Sequence, residues 1–185
     1  FLYLPAMKQI YPHGINKKIK ISQFSKKLCG KFRPGHFEAV VDVLDRFVKL
    51  INPKKVFLGE KDMQQLLIVN QFIKKKYPDK KIVACKTIRD KNGVALSSRN
   101  FLLSKKEIHK ASNIFKIVYK MKNKLIKNKF NFLKLKEIIY SYGVNKIDYI
   151  DLLDINKVIK PHKKNKKYKV FIAYYLGSTR LIDNI

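Results

Sequence analysis

The chain has 185 residues, 46% of them apolar and 12% aromatic, and a formal net charge of +29 at pH 7. This is enough to bury a core in one sizeable domain or two small ones, and it excludes an intrinsically disordered chain. No apolar run approaches the roughly 20 residues of a membrane span.

The charge invites a nucleic-acid reading, but the kind of base argues against it. Only five of the 42 basic residues are Arg (33, 46, 89, 99 and 180). Phosphate and base recognition favour the bidentate fork of Arg, and no basic stripe is interleaved with stacking aromatics. Lys, Asn, Ile, Phe and Tyr are all abundant and share AT-rich codons, so genome composition accounts for the lysines. Cys29 and Cys85 lie far apart, with no CxxC or Cys/His cluster around them. They predict reduced thiols in a cytoplasmic protein rather than a zinc site or disulfide framework. Cys85, in an apolar run, is expected to be a small core residue.

In chain order, Phe1 to Leu4 reads as a buried strand. A chain that begins on Phe inside a strand, with no signal-peptide pattern, predicts that a piece precedes it. Residues 5–16 read as a loop with turn chemistry at Tyr11-Pro12-His13-Gly14, and residues 18–30 leave helix and loop open. From Phe37 the apolar positions 37, 40, 41, 44, 47, 48 and 51 predict a helix that Pro53 stops. Val56-Phe57-Leu58 predicts a short buried strand ending at Gly59, followed by a helix over about 62–76 and a strand at Ile82 to Cys85. This βαβ alternation implies a parallel sheet with helices on its faces. After Asn100 the pattern changes. A Lys-rich amphipathic helix is predicted over 105–127, a second over about 132–142 closed by Gly143, then strands at 148–153 and 170–176 around a Lys-rich turn at 163–169. The fold expected is α/β over residues 1–103 and a small α+β domain over 104–185.

Three segments carry candidate chemistry. Gly59-Glu60-Lys61-Asp62 follows a strand and opens a helix, where ligands of open α/β sheets bind and free N–H groups meet anions. Alone, it reads rather as an ordinary charged turn. On the same helix Gln64 and Gln65 stand about 100° apart, so at most one faces a cleft squarely. A glutamine amide suits a hydroxy acid, although such a pair is commonly solvated surface. Leu96-Ser97-Ser98-Arg99-Asn100 offers hydroxyls, N–H groups and one of the few guanidinium groups as a phosphate cradle, although alone it reads better as a Ser-rich cap for the following helix. Arg33-Pro34-Gly35-His36-Phe37 leads into a helix, and His36 alone indicates no catalytic role.

Taken together and in order, RPGHF, GEKDxQQ and ALSSRN resemble pantothenate synthetase (pantoate–β-alanine ligase). The likeness extends from Ile10-Tyr11-Pro12-His13-Gly14 through Arg180-Leu181-Ile182-Asp183-Asn184. The resemblance implies a Rossmann-like nucleotidyltransferase domain, incomplete at its N-terminus, plus a C-terminal lid. It also implies ATP-dependent joining of pantoate to β-alanine through a pantoyl-adenylate. By the same resemblance Gly59, Glu60, Lys61, Asp62, Ile88, Leu96, Ser97, Ser98 and Arg99 would contact ATP, with Lys61 and Arg99 stabilising the phosphates in the transition state. Gln65 would hold pantoate, and Arg33 and His36 would lie near the site. Mg²⁺ would travel with the ATP, without a protein cage. A homodimer is expected, with neither membrane nor specific nucleic acid as partner. The family's first part carries a His-x-Gly-His signature that none of His13, His36, His109 and His162 reproduces, so the chain alone is expected to be inactive. Two alternatives remain: another adenylate-forming ligase of the same type, and a basic nucleic-acid-binding module.

Overall fold

A computed structural model of the chain describes residues 2–15, 19–159 and 166–185. It divides into two compact units, one running to Leu58 and including Gln64–Ala84, the other formed by Gly59–Met63 and Cys85–Ile185.

In the first unit, residues 2–4 are exposed and lie outside any strand, which corrects the expected strand over these positions, while Phe1 lies outside the described residues. A strand needs a neighbour to take its N–H and C=O groups, and among the described residues this segment has none. Helix α1 is a single turn, Met7–Ile10. A 3₁₀ turn, Gln23–Lys26, and one-turn α2, Cys29–Phe32, occupy the stretch whose pattern was undecided. Between them the buried Leu28 has φ 47° and ψ −122°, a conformation that costs a branched residue on the order of 1–3 kcal/mol. Gly30 is required sterically, because a Cβ there would lie 1.5 Å from the Ser25 carbonyl oxygen.

Helix α3, His36–Ile51, buries Phe37, Val41 and Val48 at the predicted spacing, and with them Asp42 and Asp45. Asn52, at φ 49°, donates its N–H to the Val48 carbonyl and ends the helix. Arg46 answers Asp42 at 3.0 Å, and its other guanidinium nitrogens donate to the Ile10 and Gly14 carbonyls. Strand β1, Lys55–Gly59, helix α4, Met63–Lys76, and strand β2, Lys81–Cys85, form the expected βαβ unit with a two-stranded parallel sheet. Its burial differs from expectation, since Phe57 is 63% exposed and Cys85 is exposed rather than in the core. Strands of a parallel sheet are buried on both sides only when layers cover both faces, and two strands alone do not supply that cover.

The second unit begins with the 3₁₀ turn Glu60–Asp62. A second 3₁₀ turn, Ser98–Leu102, leads to helix α5, Lys105–Ile126. Ser104 and Glu107 close α5 with a reciprocal capping box, the Ser104 N–H donating to Glu107 Oε2 at 2.8 Å. Helix α6, Phe132–Ser141, follows. Strand β3, Lys146–Asp154, helix α7, Ile155–Ile159, and strands β4, Tyr168–Leu176, and β5, Thr179–Asn184, complete it. The sheet is an antiparallel meander in the order β3-β4-β5. Strand β5 was not among the expected elements, and residues 163–165 of the Lys-rich turn lie outside the described residues. The core sits between α5, α6 and this sheet. Val118, Leu135, Ile139, Ile172 and Leu176 are at most 1% exposed, each worth roughly 1.5–3 kcal/mol of burial. The Asp148 side chain, beside a β3 irregularity, is nearly fully buried and accepts from Arg180 Nε at 2.8 Å. No helix among the described residues is long and apolar enough to cross a membrane.

Candidate functional site

Strand β1 ends at Gly59, and the chain turns through Glu60–Asp62 before α4 begins. This turn packs on β5. The Asn184 side-chain amide, 2% exposed, donates to the Glu60 and Lys61 carbonyls, both at 2.8 Å. The Lys61 side chain is mostly covered, with Nζ 3.6 Å from Asp62 Oδ1, while the Asp62 carboxylate is about half exposed.

The segment before Ser97 forms a small hairpin. Arg89 and Ala95 bridge in antiparallel fashion, and the Leu96 N–H donates to the Ile88 carbonyl at 2.9 Å. Asp90 Oδ1 accepts from the N–H groups of Asn92 and Val94, which fixes the turn. Gly93, at φ 88°, completes it, and any Cβ there would lie 2.2 Å from the Phe115 ring. Arg89 ties the hairpin to β5: its fork reaches the Asp183 carboxylate at 2.6 and 2.9 Å, and it also donates to the Gly93 and Asn184 carbonyls. Its guanidinium stacks 4.5 Å from the Phe115 centroid.

Ser97 Oγ accepts the Arg99 N–H at 3.3 Å, so the cap reading of this serine is realised on a 3₁₀ turn. Ser98 is exposed. Arg99 Nη1 donates to the Arg180 carbonyl at 3.4 Å, and Asn100 Nδ2 to Ala95 at 3.1 Å. Lys61, Ser97, Arg99, Asn100 and Asp183 border one small cleft of about 20 Å³, partly open to solvent, whose other walls include the core side chains Ile114, Val118 and Ile172. Lys61 thus shares one concave surface with Ser97 and Arg99, which lie far from it in the chain. Beside them Ile88 and Leu96, joined through their backbones, expose 69% and 52% of their area and form an apolar ledge.

Burial pulls the Lys169 ammonium below its ordinary range, Glu60 and Asp183 pull it back up, and Lys122 and Lys167 push it further down. Lys122 is lowered as well, by burial and then by Lys167. Such a group of partly desolvated cations favours a multivalent anion.

The remaining expected residues belong to the first unit. Gln65 is half-buried on α4. Gln64 is not the solvated surface residue its type suggested, being 5% exposed with every polar position of its amide used. Arg33 is exposed. His36 opens α3 behind Gly35 (φ 77°), with its ring centroid 5.0 Å from that of Phe37. Sequence reasoning missed Arg89, Asp183, Asn184 and Lys169. The scarcity of arginine was the available signal, since Arg46, Arg89, Arg99 and Arg180 all place guanidinium nitrogens on carbonyl or carboxylate oxygens.

A family model described as pantoate-beta-alanine ligase matches residues 1–185. The pantothenate synthetase of Caldicellulosiruptor saccharolyticus is 33% identical over 189 residues, covering 100% of this chain and 67% of that protein. The pantothenate synthetase of Clostridium botulinum (strain Langeland) is 36% identical over 187 residues, with coverage of 99% and 66%. Among solved structures, the pantoate-beta-alanine ligase from Francisella tularensis, complexed with beta-gamma ATP and beta-alanine, superposes with TM-score 0.77 at 33% identity. That superposition covers 96% of this chain and 61% of the other. Pantothenate synthetase from Thermus thermophilus gives TM-score 0.80 at 26% identity, with 98% and 67% covered. The chain spans about two thirds of the length of these relatives.

Proposed function

Because this chain belongs to the pantoate–β-alanine ligase family, we propose that it carries substrate-handling residues of an enzyme that condenses pantoate with β-alanine at the expense of ATP. In the proposed route a pantoate carboxylate oxygen attacks the α-phosphorus and pyrophosphate leaves. The β-alanine amine then attacks the acyl carbon of the pantoyl-adenylate, loses a proton and expels AMP.

The single observation that carries this reading is that Lys61, Ser97 and Arg99 border one small cleft. Adenylation moves negative charge onto the departing pyrophosphate, and preorganised cations and N–H donors stabilise that change most effectively in a partly water-excluded site. Lys61 and Arg99 are the proposed charge-stabilising groups. Gly59, Glu60, Asp62, Ser97 and Ser98 supply backbone and hydroxyl contacts to ATP, and Ile88 with Leu96 forms the apolar ledge for its base. Gln65 is assigned to pantoate, with Arg33 and His36 near the site. Residues 1–103 carry the ATP and pantoate motifs, and residues 104–185 act as the small lid domain. Mg²⁺ is proposed to enter with ATP as part of the MgATP substrate. A cytoplasmic homodimer completes the proposal, and specific nucleic acid has no part in it.

The test is ATP–pyrophosphate exchange with a panel of hydroxy acids. Pantoate-dependent exchange is expected. Exchange with another acid and not with pantoate would instead favour a different adenylate-forming ligase. These 185 residues contain no His-x-Gly-His, and the polypeptide by itself is expected to make no pantothenate until the relatives' remaining third is supplied.

A further inference from the structure

We infer that Asn184, the penultimate residue of the chain and 123 positions from Lys61 in sequence, is the positioning residue that holds Lys61 in the geometry used on ATP. The inference rests on the reading of Lys61 as a phosphate contact, and it adds a residue that this reading does not include.

The argument begins with peptide geometry. A trans peptide is planar, and its C=O and N–H point in opposite directions. The Cα of Lys61 is flanked by two such planes, one containing the Glu60 carbonyl and the other the Lys61 carbonyl. The Asn184 amide donates one hydrogen to each, both at 2.8 Å. Anchoring both planes fixes φ and ψ at Lys61, and with them the direction in which its side chain leaves the backbone. Anchoring the Glu60 carbonyl also keeps the Lys61 N–H on the far side of the turn. Only a side chain with two hydrogens on one nitrogen can hold two carbonyls in this way, and asparagine is the shortest that does.

The clamp is itself held rigidly. Asn184 pairs with Phe171 in the β4–β5 ladder. Its N–H donates to Asp183 Oδ1 at 2.7 Å, and its carbonyl accepts from Arg89 at 3.3 Å. Arg89 in turn grips Asp183 with both arms of its fork. Asn184 is 2% exposed, and its Oδ1 is buried with no hydrogen-bond partner among the described residues. The side chain is therefore placed for what its nitrogen does, and a residue serving general stability would be expected to have both ends satisfied.

The test is a double-mutant cycle in the full-length enzyme, read as kcat/KM for ATP and for pantoate well below the melting temperature. Asn184→Ala should lower kcat/KM for ATP by about 10–100-fold, since a misplaced charge of this kind loses that much. Because the loss acts through Lys61, adding Asn184→Ala to Lys61→Ala should cost less than about threefold more. Asn184→Asp keeps the shape but turns acceptors toward two carbonyls, so it should be at least as impaired as the alanine variant. If Asn184→Ala does not fold, Asn184→Ser, which keeps one donor, takes its place in the cycle. Losses that multiply in the double variant, or kcat/KM for ATP within twofold of wild type in Asn184→Ala, would overturn the inference while leaving the function of Lys61 intact. If Lys61→Ala itself leaves ATP kinetics unchanged, the phosphate role of Lys61 fails and this inference falls with it.

Discussion

Gln64 accepts the Cys29 amide hydrogen at 3.1 Å across 35 residues of sequence, and its own amide donates to the Phe24 and Lys27 carbonyls at 2.9 and 2.7 Å. One side chain thus satisfies three main-chain groups of a segment that contains the strained Leu28 and leads into Arg33-Pro34-Gly35-His36. Removing it takes one hydrogen bond from each of those groups, although the Phe24 and Lys27 carbonyls still accept the Lys27 and Gly30 N–H groups. Gln64→Ala is expected to destabilise the fold by about 1–3 kcal/mol, the net worth of the buried hydrogen bonds lost. Urea denaturation checks this. A shift in midpoint no larger than that of an exposed substitution would mean that the segment is held by its apolar contacts instead. Gln64 is therefore a poor neutral control for its neighbour, contrary to what helix geometry alone suggested.

Gln65→Ala should behave differently. The residue is only half-buried, so stability should change by less than about 1 kcal/mol. Steady-state kinetics should show transition-state binding of pantoate weakened by about 1–3 kcal/mol, with ATP little affected. Equal losses for both substrates would remove Gln65 from the pantoate pocket.

Arg99→Lys keeps the positive charge and discards the planar fork. The contact to the Arg180 carbonyl and the simultaneous reach into the cleft cannot both be kept by a single ammonium. Pyrophosphate exchange should fall by at least about tenfold. Full activity in this variant would reduce Arg99 to a surface residue of the 3₁₀ turn.

A fourth expectation concerns acid stability. Burial alone would raise the Asp45 carboxyl, but hydrogen bonds from Lys49, Lys76 and Tyr77 outweigh it and hold the group below its ordinary 3.8. The two lysines lie at 2.8 and 2.7 Å, and the Tyr77 hydroxyl donates at 2.7 Å. A folded-state value below the unfolded one favours folding wherever Asp45 is ionised. Its contribution is present above about pH 4 and fades as pH falls through the lowered folded value. Asp45→Asn should cost about 1–3 kcal/mol at neutral pH. The difference from wild type should shrink in thermal melts as pH falls from about 4 through the lowered folded-state value. A constant difference across that range would mean that packing rather than charge is responsible.

Helices α3, α4, α5 and α6 and strands β1 to β4 were legible because their signal is local. Apolar spacing at Phe37, Val41 and Val48 repeats with the helical period wherever the helix is placed, and Pro53 and Gly143 mark boundaries through chemistry confined to a few residues. The motifs Gly59 to Asp62 and Leu96 to Arg99 were legible for a similar reason, since short contiguous segments can be recognised before anything folds. What the residues alone did not determine were properties that depend on what lies opposite. Phe57 and Cys85 look like core until the number of strands beside them is known. Strand β5 is short and carries Arg180 and Asp183, and it becomes a strand because β4 offers an edge. Gln64 and Asn184 are ordinary polar side chains in sequence, yet each faces carbonyl groups from a distant segment, and only folding brings donor and acceptors within hydrogen-bonding distance. Periodicity and motif are properties of the chain itself, whereas burial and polar satisfaction belong to pairs of segments that become neighbours only in the tertiary structure.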